Sequence, residues 1–155
     1  ETLIWGSLKP QSGKINENIS RSLKNRQLMM VRKDKDKGKT AITNYKTIKI
    51  FKNWNLPKIS LVECILETGR THQIRVHMNF KGNPIIGDKS YGKSKKKFKE
   101  INEILEKKIN NFGRQALHAK SLGFIHPKSK KEMFFEAKRP KDFEELVKNL
   151  AKASV

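Results

Sequence analysis

The pattern of apolar and polar positions divides the chain into short strands interrupted and followed by helices. Residues 40–51, TAITNYKTIKIF, alternate with a period of two, and their β-branched and aromatic members favour a strand of an antiparallel sheet. Residues 59–67, ISLVECILE, are apolar on both faces: Ile59, Leu61 and Ile65 on one, Val62, Cys64 and Leu66 on the other. That predicts a central strand covered on both sides. ETLIWG reads as the tail of a strand already under way, closed by Gly6. NRQLMMVRK reads as a short apolar strand, and KDKDKGK as a charged turn around Gly38. SLKPQSGKINENIS, with Pro10, Ser12 and Gly13, reads as a loop, and NWNLPK turns the chain.

Helical spacing enters after the central strand. Thr71 is placed to N-cap a helix and Gly82 to end it, which predicts a helix over 72–81. Arg75 then sits one turn in, and Arg70 lies on the loop before the cap. NPIIGDKSYG is a glycine-bounded loop containing Pro84. Phe98, Ile101, Ile104, Leu105 and Ile109 recur at helical spacing among lysines and glutamates, so 93–111 predicts an amphipathic surface helix and a candidate insertion. RQALHAKSLGFI and KEMFFEA read as two strands joined by HPKSK. Pro140 and Asp142 open a last helix, with Asp142 and Glu145 spaced as a capping box and Phe143, Leu146, Val147 and Leu150 as its buried stripe. Strands dominate and helices lie to one side. The expected class is α+β, a mixed but largely antiparallel sheet with helices packed against it, in one domain over 1–155.

Charge narrows the list of partners. Lys and Arg number 35 against 15 acidic residues, a net charge of +20. Such an excess repels itself in the folded state and attracts polyanions, and nucleic acid is the first polyanion to consider. No segment offers the apolar run that a transmembrane helix needs. The competing reading is a solvated lysine-rich surface. Cys64 is the single cysteine, so no internal disulfide forms, and its apolar surroundings suit a buried thiol in a reducing compartment.

Candidate chemistry concentrates in LETGRTHQIRVHMNFKG, residues 66–82, where Arg70, His72, Arg75 and His77 fall between Gly69 and His77 with no carboxylate among them. His72 and His77 are five apart and do not stack on one helix face, and His118 and His126 belong to another strand. Neither arrangement matches a structural zinc site. No serine-hydrolase elbow occurs, and GKT at Gly38 lacks the upstream glycine of a phosphate-cradling loop. An arginine just inside a helix can fork onto a phosphate or hold a carboxylate ionised. A structural ion pair to Glu63 or Glu67 is the plainer use of Arg75.

LVECILETGRTHQIRVHMNFKGNPIIGDKSYG, followed by RQALHAKSLGFIHPKSKKEMFFEA, closely resembles the C-terminal half of the RluA-like family of RNA pseudouridine synthases. SRSLKNRQLMMV and GKTAITNY resemble the same family, especially its members that modify large-subunit ribosomal RNA. The resemblance covers nearly the whole chain, least well over 93–111. It implies an enzyme that cuts the uridine N-glycosidic bond, turns the uracil and rejoins it through carbon, with no cofactor and no metal. It implies RNA as partner, a cytoplasmic setting and a monomeric full-length protein. Arg75, the second arginine of GRTHQIR, takes the family role of pairing with the catalytic aspartate. Ile74 walls the base pocket, and Arg70, Thr71, His72, Gln73 and His77 shape the pocket or meet substrate. Arg21, Arg26, Lys89, Lys95, Lys96 and Lys97 are the expected grips on the RNA backbone.

One part of the family pattern is missing. The nucleophile belongs to a His-Arg-Leu-Asp motif, and none of Asp34, Asp36, Asp88 and Asp142 has that context. Asp88 belongs to GDKSYG, a loop that the family keeps apart from its nucleophile, and Tyr45 and Tyr91 are not counterparts of its base-stacking tyrosine. The expectation is a catalytic domain lacking its N-terminal part, with aspartate and tyrosine preceding Glu1, and a chain that is inactive alone. The competing classes are a non-enzymatic basic RNA-binding module and a ribonucleoprotein component.

Overall fold

In the computed structural model, which describes residues 1–54, 56–92 and 103–154, the central layer is a four-stranded sheet. Its strands are β1 (Thr2–Trp5), β2 (Ser12–Asn16), β5 (Ile42–Asn53) and β6 (Leu56–Leu66), in the order β1-β6-β5-β2. Two ribbons accompany it: β3 (Asn18–Arg21) with β4 (Met29–Arg32), and β7 (Ser121–Ile125) with β8 (Glu132–Glu136). Every ladder among the described residues is antiparallel. The helices are α1 (Gln73–Phe80), α2 (Glu103–Asn110) and α3 (Lys141–Ala153). The α+β architecture thus follows the pattern of the sequence.

β6 is central, and at Ile59–Val62 both of its faces are buried. The double cover stops short of the strand end, because Ile65 is 63% exposed and Leu66 44%. Cys64 lies between these regimes, and burial pushes its thiol up to about 12, which leaves it un-ionised at neutral pH. The main core gathers Leu3 and Ile4 of β1, Phe51 of β5, Ile59 of β6, and Phe143, Leu146 and Leu150 of α3. The i, i+3, i+7 spacing of those α3 residues places them on one face, as the sequence predicts. α2 adds Leu105 and Ile109. A smaller cluster of Ile19, Ala41, Val76 and Tyr91 sits under the β3–β4 ribbon.

Four local expectations change. Residues 7–20 are not one loop: they contain β2 and most of β3. The burial signal there is weak, since Ile15 is the only buried residue of β2, and β2 exists because Ser12–Asn16 pairs with Ile42–Lys46 of β5. The capping box of α3 does not form. Pro140 occupies the cap position without a side-chain bond, and Asp142 lies inside the first turn with its carboxylate held by Arg114 at 2.9 Å. The strand predicted from Arg114 narrows to β7, preceded by an isolated bridge from Leu117 to Thr2. α1 begins at Gln73, and its cap is His72 instead of Thr71. Gly82 does end the helix, with φ +76.

The β7–β8 ribbon stands apart from the core. Leu122 pairs with Phe135 and Phe124 with Met133, so these four side chains share one face. Leu122, Phe124 and Phe135 are 60%, 42% and 51% exposed, and the two phenyl rings stack 6.1 Å apart.

Candidate functional site

The start of α1 is fixed by a buried amide. Gln73 Oε1 accepts the Arg70 backbone N–H at 2.9 Å and the Thr68 hydroxyl at 2.8 Å. Its Nε2 donates to the Ile42 carbonyl at 2.9 Å and to Thr43 Oγ1 at 3.0 Å. The two backbone partners settle which end of the amide is which. The Glu17 carbonyl can only accept, so His77 Nε2–H donates to it at 3.2 Å, and Thr43 gives its own hydrogen to the bare His77 Nδ1, 2.9 Å away. His77 is fully buried, and burial lowers its pKa, so it is a neutral ring with the hydrogen on Nε2. The network ties α1 to β5 and to the residues before β3. Gln73 and His77 thus shape the site from inside, with their polar atoms spent on protein partners.

One turn further on, Arg75 reaches the 87–92 loop. Its Nε and Nη2 donate to the two carboxylate oxygens of Asp88 at 2.7 and 2.9 Å. The Asp88 side chain is fully buried and that of Arg75 is 12% exposed. Asp88 Oδ1 also accepts the backbone N–H groups of Ser90 and Tyr91 at 3.0 and 3.1 Å. Burial acts to raise the Asp88 carboxyl, but the Arg75 fork and these amides outweigh it and hold it below its ordinary value. The same fork raises Arg75. Removing one partner of such a pair leaves a buried charge and costs about 3–5 kcal/mol. The loop is set by Gly87, whose φ is +75 and whose missing Cβ would collide with the Arg114 carbonyl oxygen.

The Tyr91 ring carries the Arg75 guanidinium carbon 4.9 Å from its centroid. Tyr91 Oη accepts the Met29 backbone N–H at 2.8 Å and is hydrogen-bonded to His72 Nδ1 at 2.9 Å. Partial burial, followed by the nearby Arg75 charge, lowers the His72 pKa. Its backbone is left-handed, φ 56 and ψ 21, a conformation that histidine tolerates better than most residues. Tyr91 thus holds a strained residue at the exact point where the chain enters α1.

Beside this array an open cleft of about 600 Å³ runs between the β3–β4 ribbon and residues 69–71. Arg21, Lys39, Arg70 and Thr71 line it together with Met29, and among the described residues no carboxylate does. Arg70 Nε is anchored on the Thr40 carbonyl at 2.9 Å, and Arg21 Nη1 on the Arg26 carbonyl at 2.8 Å. Each arginine is steadied through one nitrogen, which suits recognition of phosphate oxygens.

The sequence-predicted residues therefore fall into groups. Arg70, Thr71 and Arg21 meet at the cleft, and Arg75 and His72 meet at Tyr91. Ile74 is half-buried against the main core. Arg26 and Lys89 are exposed, the first on the β3–β4 turn and the second next to Asp88. Lys95, Lys96 and Lys97 lie outside the described residues. Glu63 and Glu67, the acids considered for Arg75, instead meet Lys120 and Lys14. Among the described residues no three His, Cys, Asp or Glu side chains cluster to hold a metal ion. The residue that sequence reasoning missed is Asp88. Its signal was an aspartate two and three residues before amides it could accept, in a loop bounded by glycines.

Residues 5–80 match the family model for RNA pseudouridylate synthase. The chain is 46% identical over 138 residues to the ribosomal large subunit pseudouridine synthase D of Zymomonas mobilis, covering 89% of this chain and 40% of that protein. It belongs to the RNA pseudouridine synthase family. An uncharacterised RNA pseudouridine synthase of Bacillus subtilis is 41% identical over 150 residues, covering 97% of this chain and 43% of its own length. The chain thus spans less than half the length of these curated relatives. The fold agrees: human RNA pseudouridylate synthase domain containing 1 superposes with a TM-score of 0.68 at 21% identity, over 97% of this chain and 63% of that one. GRTHQIR and GDKSYG, two of the stretches on which the resemblance rests, are brought together by the fold through Arg75 and Asp88.

Proposed function

We propose that this chain supplies the arginine side of a pseudouridine synthase active site, acting on uridines of large-subunit ribosomal RNA. The observation that carries the reading is the Arg75 guanidinium, fixed on one edge by Asp88 and on one face by Tyr91. In an isomerase of this class the C1′–N1 bond of uridine breaks, the uracil turns, and C5 bonds to C1′ while the C5 proton leaves and N1 gains one. Nothing is added or lost, so no cofactor is required. The reaction needs a carboxylate in a partly dry cleft, and a guanidinium keeps such a group ionised and oriented.

The aspartates of the chain are otherwise engaged. Asp88 is buried on Arg75, Asp142 is held by Arg114, and Asp34 and Asp36 sit in an exposed turn. The catalytic carboxylate and the base-stacking tyrosine are therefore assigned to polypeptide outside these 155 residues, and the chain alone is inactive. The basic cleft grips the RNA backbone, whose counterion release offsets the few kcal/mol, about, of unstacking the target uridine. The setting is cytoplasmic, and the full-length protein acts as a monomer without metal.

The test uses the full-length protein and ribosomal RNA tritiated at uridine C5, with tritium release as the readout. Wild type releases tritium. Arg75→Ala abolishes release while RNA affinity stays within about threefold, as expected for a residue acting in the chemical step. Turnover by Arg75→Ala at the wild-type rate overturns the assignment.

A further inference from the structure

Resting on that reading, we infer that Asp88 is a positioning residue for the isomerisation: it clamps Arg75 so that only the end-on edge of the guanidinium, Nη1 with the second N–H of Nη2, is left to face the reacting carboxylate. The geometry leaves Arg75 little choice. Nε–H and one N–H of Nη2 are committed to Asp88 at 2.7 and 2.9 Å. Asp88 is itself held by the Ser90 and Tyr91 amides and cannot follow a swinging arginine. Tyr91 covers one face of the guanidinium plane, and its hydroxyl is pinned between Met29 N–H and His72. Rotation about the arginine's last bonds would break two charge-assisted hydrogen bonds at once. What remains is one edge of fixed direction.

The clamp also sets charge. Asp88 neutralises Arg75 locally, so a second carboxylate at the end-on edge meets a guanidinium already shared between two anions. That moderates how far Arg75 can depress the nucleophile's pKa. A carboxylate stripped of proton affinity by an undiluted cation would be a poorer nucleophile, and the shared arrangement orients the anion without that loss. Lysine could keep the ion pair to Asp88, but as a point charge it has no second planar edge to offer.

The experiment again uses the full-length protein and C5-tritiated ribosomal RNA, comparing wild type, Asp88→Asn and Arg75→Lys. Asparagine keeps an oxygen for the Ser90 and Tyr91 amides and removes the charge. Its kcat falls at least about tenfold with KM within about twofold, which is the signature of a group acting on the chemical step. The acid limb of its kcat–pH profile moves to lower pH, because the nucleophile now faces an unshared cation. Arg75→Lys keeps the pair with Asp88 and a wild-type melting temperature but loses kcat. Wild-type kcat and an unmoved acid limb in Asp88→Asn overturn the inference. So does full activity in Arg75→Lys, which would make the pair a fold-stabilising bridge and nothing more. If Asp88→Asn fails to fold, Asp88→Glu decides: it keeps the charge but displaces the fork, so its kcat should fall, and a wild-type kcat overturns the inference. A wild-type protein that releases no tritium defeats the functional reading itself, a separate outcome.

Discussion

Thr43 Oγ1 lies 2.9 Å from His77 Nδ1, inside the protein, and the Glu17 carbonyl on the other ring nitrogen fixes the tautomer of a histidine that water never reaches. A carbonyl can only accept, so His77 Nε2 carries the ring hydrogen and Nδ1 takes the Thr43 hydroxyl hydrogen. Protonating His77 would force that hydroxyl to turn its hydrogen away from Nδ1, and burial lowers the histidine's pKa.

Stability should therefore fall as pH drops below neutrality. A histidine with a lowered folded pKa is protonated first in the unfolded chain. Its contribution is complete above the unfolded value of about 6.5 and is lost as pH falls toward the folded one. His72 acts in the same direction. Asp88, whose folded pKa is lowered, adds a second loss below the ordinary carboxylate range, near pH 4, by the same rule. Urea unfolding at about pH 8, about pH 5.5 and about pH 3.5 should show two successive decreases. Equal midpoints at the first two values would contradict the buried neutral His77.

Gln73→Ala should destabilise the fold by about 2–4 kcal/mol, because it strands buried partners on β5 and at the start of α1. The folded fraction should bind RNA normally, since the side chain is 3% exposed and meets only protein. Chemical denaturation and a filter-binding titration check the two halves.

Replacing Arg21, Lys39 and Arg70 together by glutamine should flatten the slope of log affinity against log salt by roughly 2 to 3, on the basis of three lost phosphate contacts. The melting temperature should barely move, because Arg21 and Arg70 give the protein little beyond single bonds to exposed carbonyls. An unchanged salt slope would return the cleft to ordinary solvated surface.

Gly87→Ala should disturb the 87–92 loop far more than Gly69→Ala disturbs its own surroundings. A Cβ at 87 drives into the Arg114 carbonyl and demands a left-handed backbone of an alanine, whereas a Cβ at 69 meets nothing within 4 Å. Circular dichroism melts should show a large drop for the first and almost none for the second. Because Gly69 lines the basic cleft, its alanine variant is also a gentle probe of how closely RNA approaches the backbone there.

Much of this was legible in the chain. α3 carries its period plainly and buries the face that the period selects, whereas β5 does so at Thr43 and Tyr45 but leaves Ile48 48% exposed next to a register shift between Thr47 and Lys49. The arginine at 75 was recognisable from its motif. What was hidden depends on partners distant in sequence. β2 shows almost no apolar alternation and owes its existence to pairing with β5. The cap of α1 passed from Thr71 to His72 because Gln73 and Tyr91, one buried and one 19 residues away, bind the turn from outside. Asp88 stands 13 residues beyond Arg75 across a helix end and a glycine turn, and no local period connects them.

The bare aromatic side of the β7–β8 ribbon sets a practical limit on handling the protein. In dilute buffer the net charge of +20 keeps molecules from touching, however sticky that strip is. Concentrated salt, the usual way to strip nucleic acid from a basic protein, shortens the Debye length to about 3 Å at 1 M and removes that mutual repulsion. Washing away RNA and provoking clumping are then the same step, and a preparation freed of one will be prone to the other.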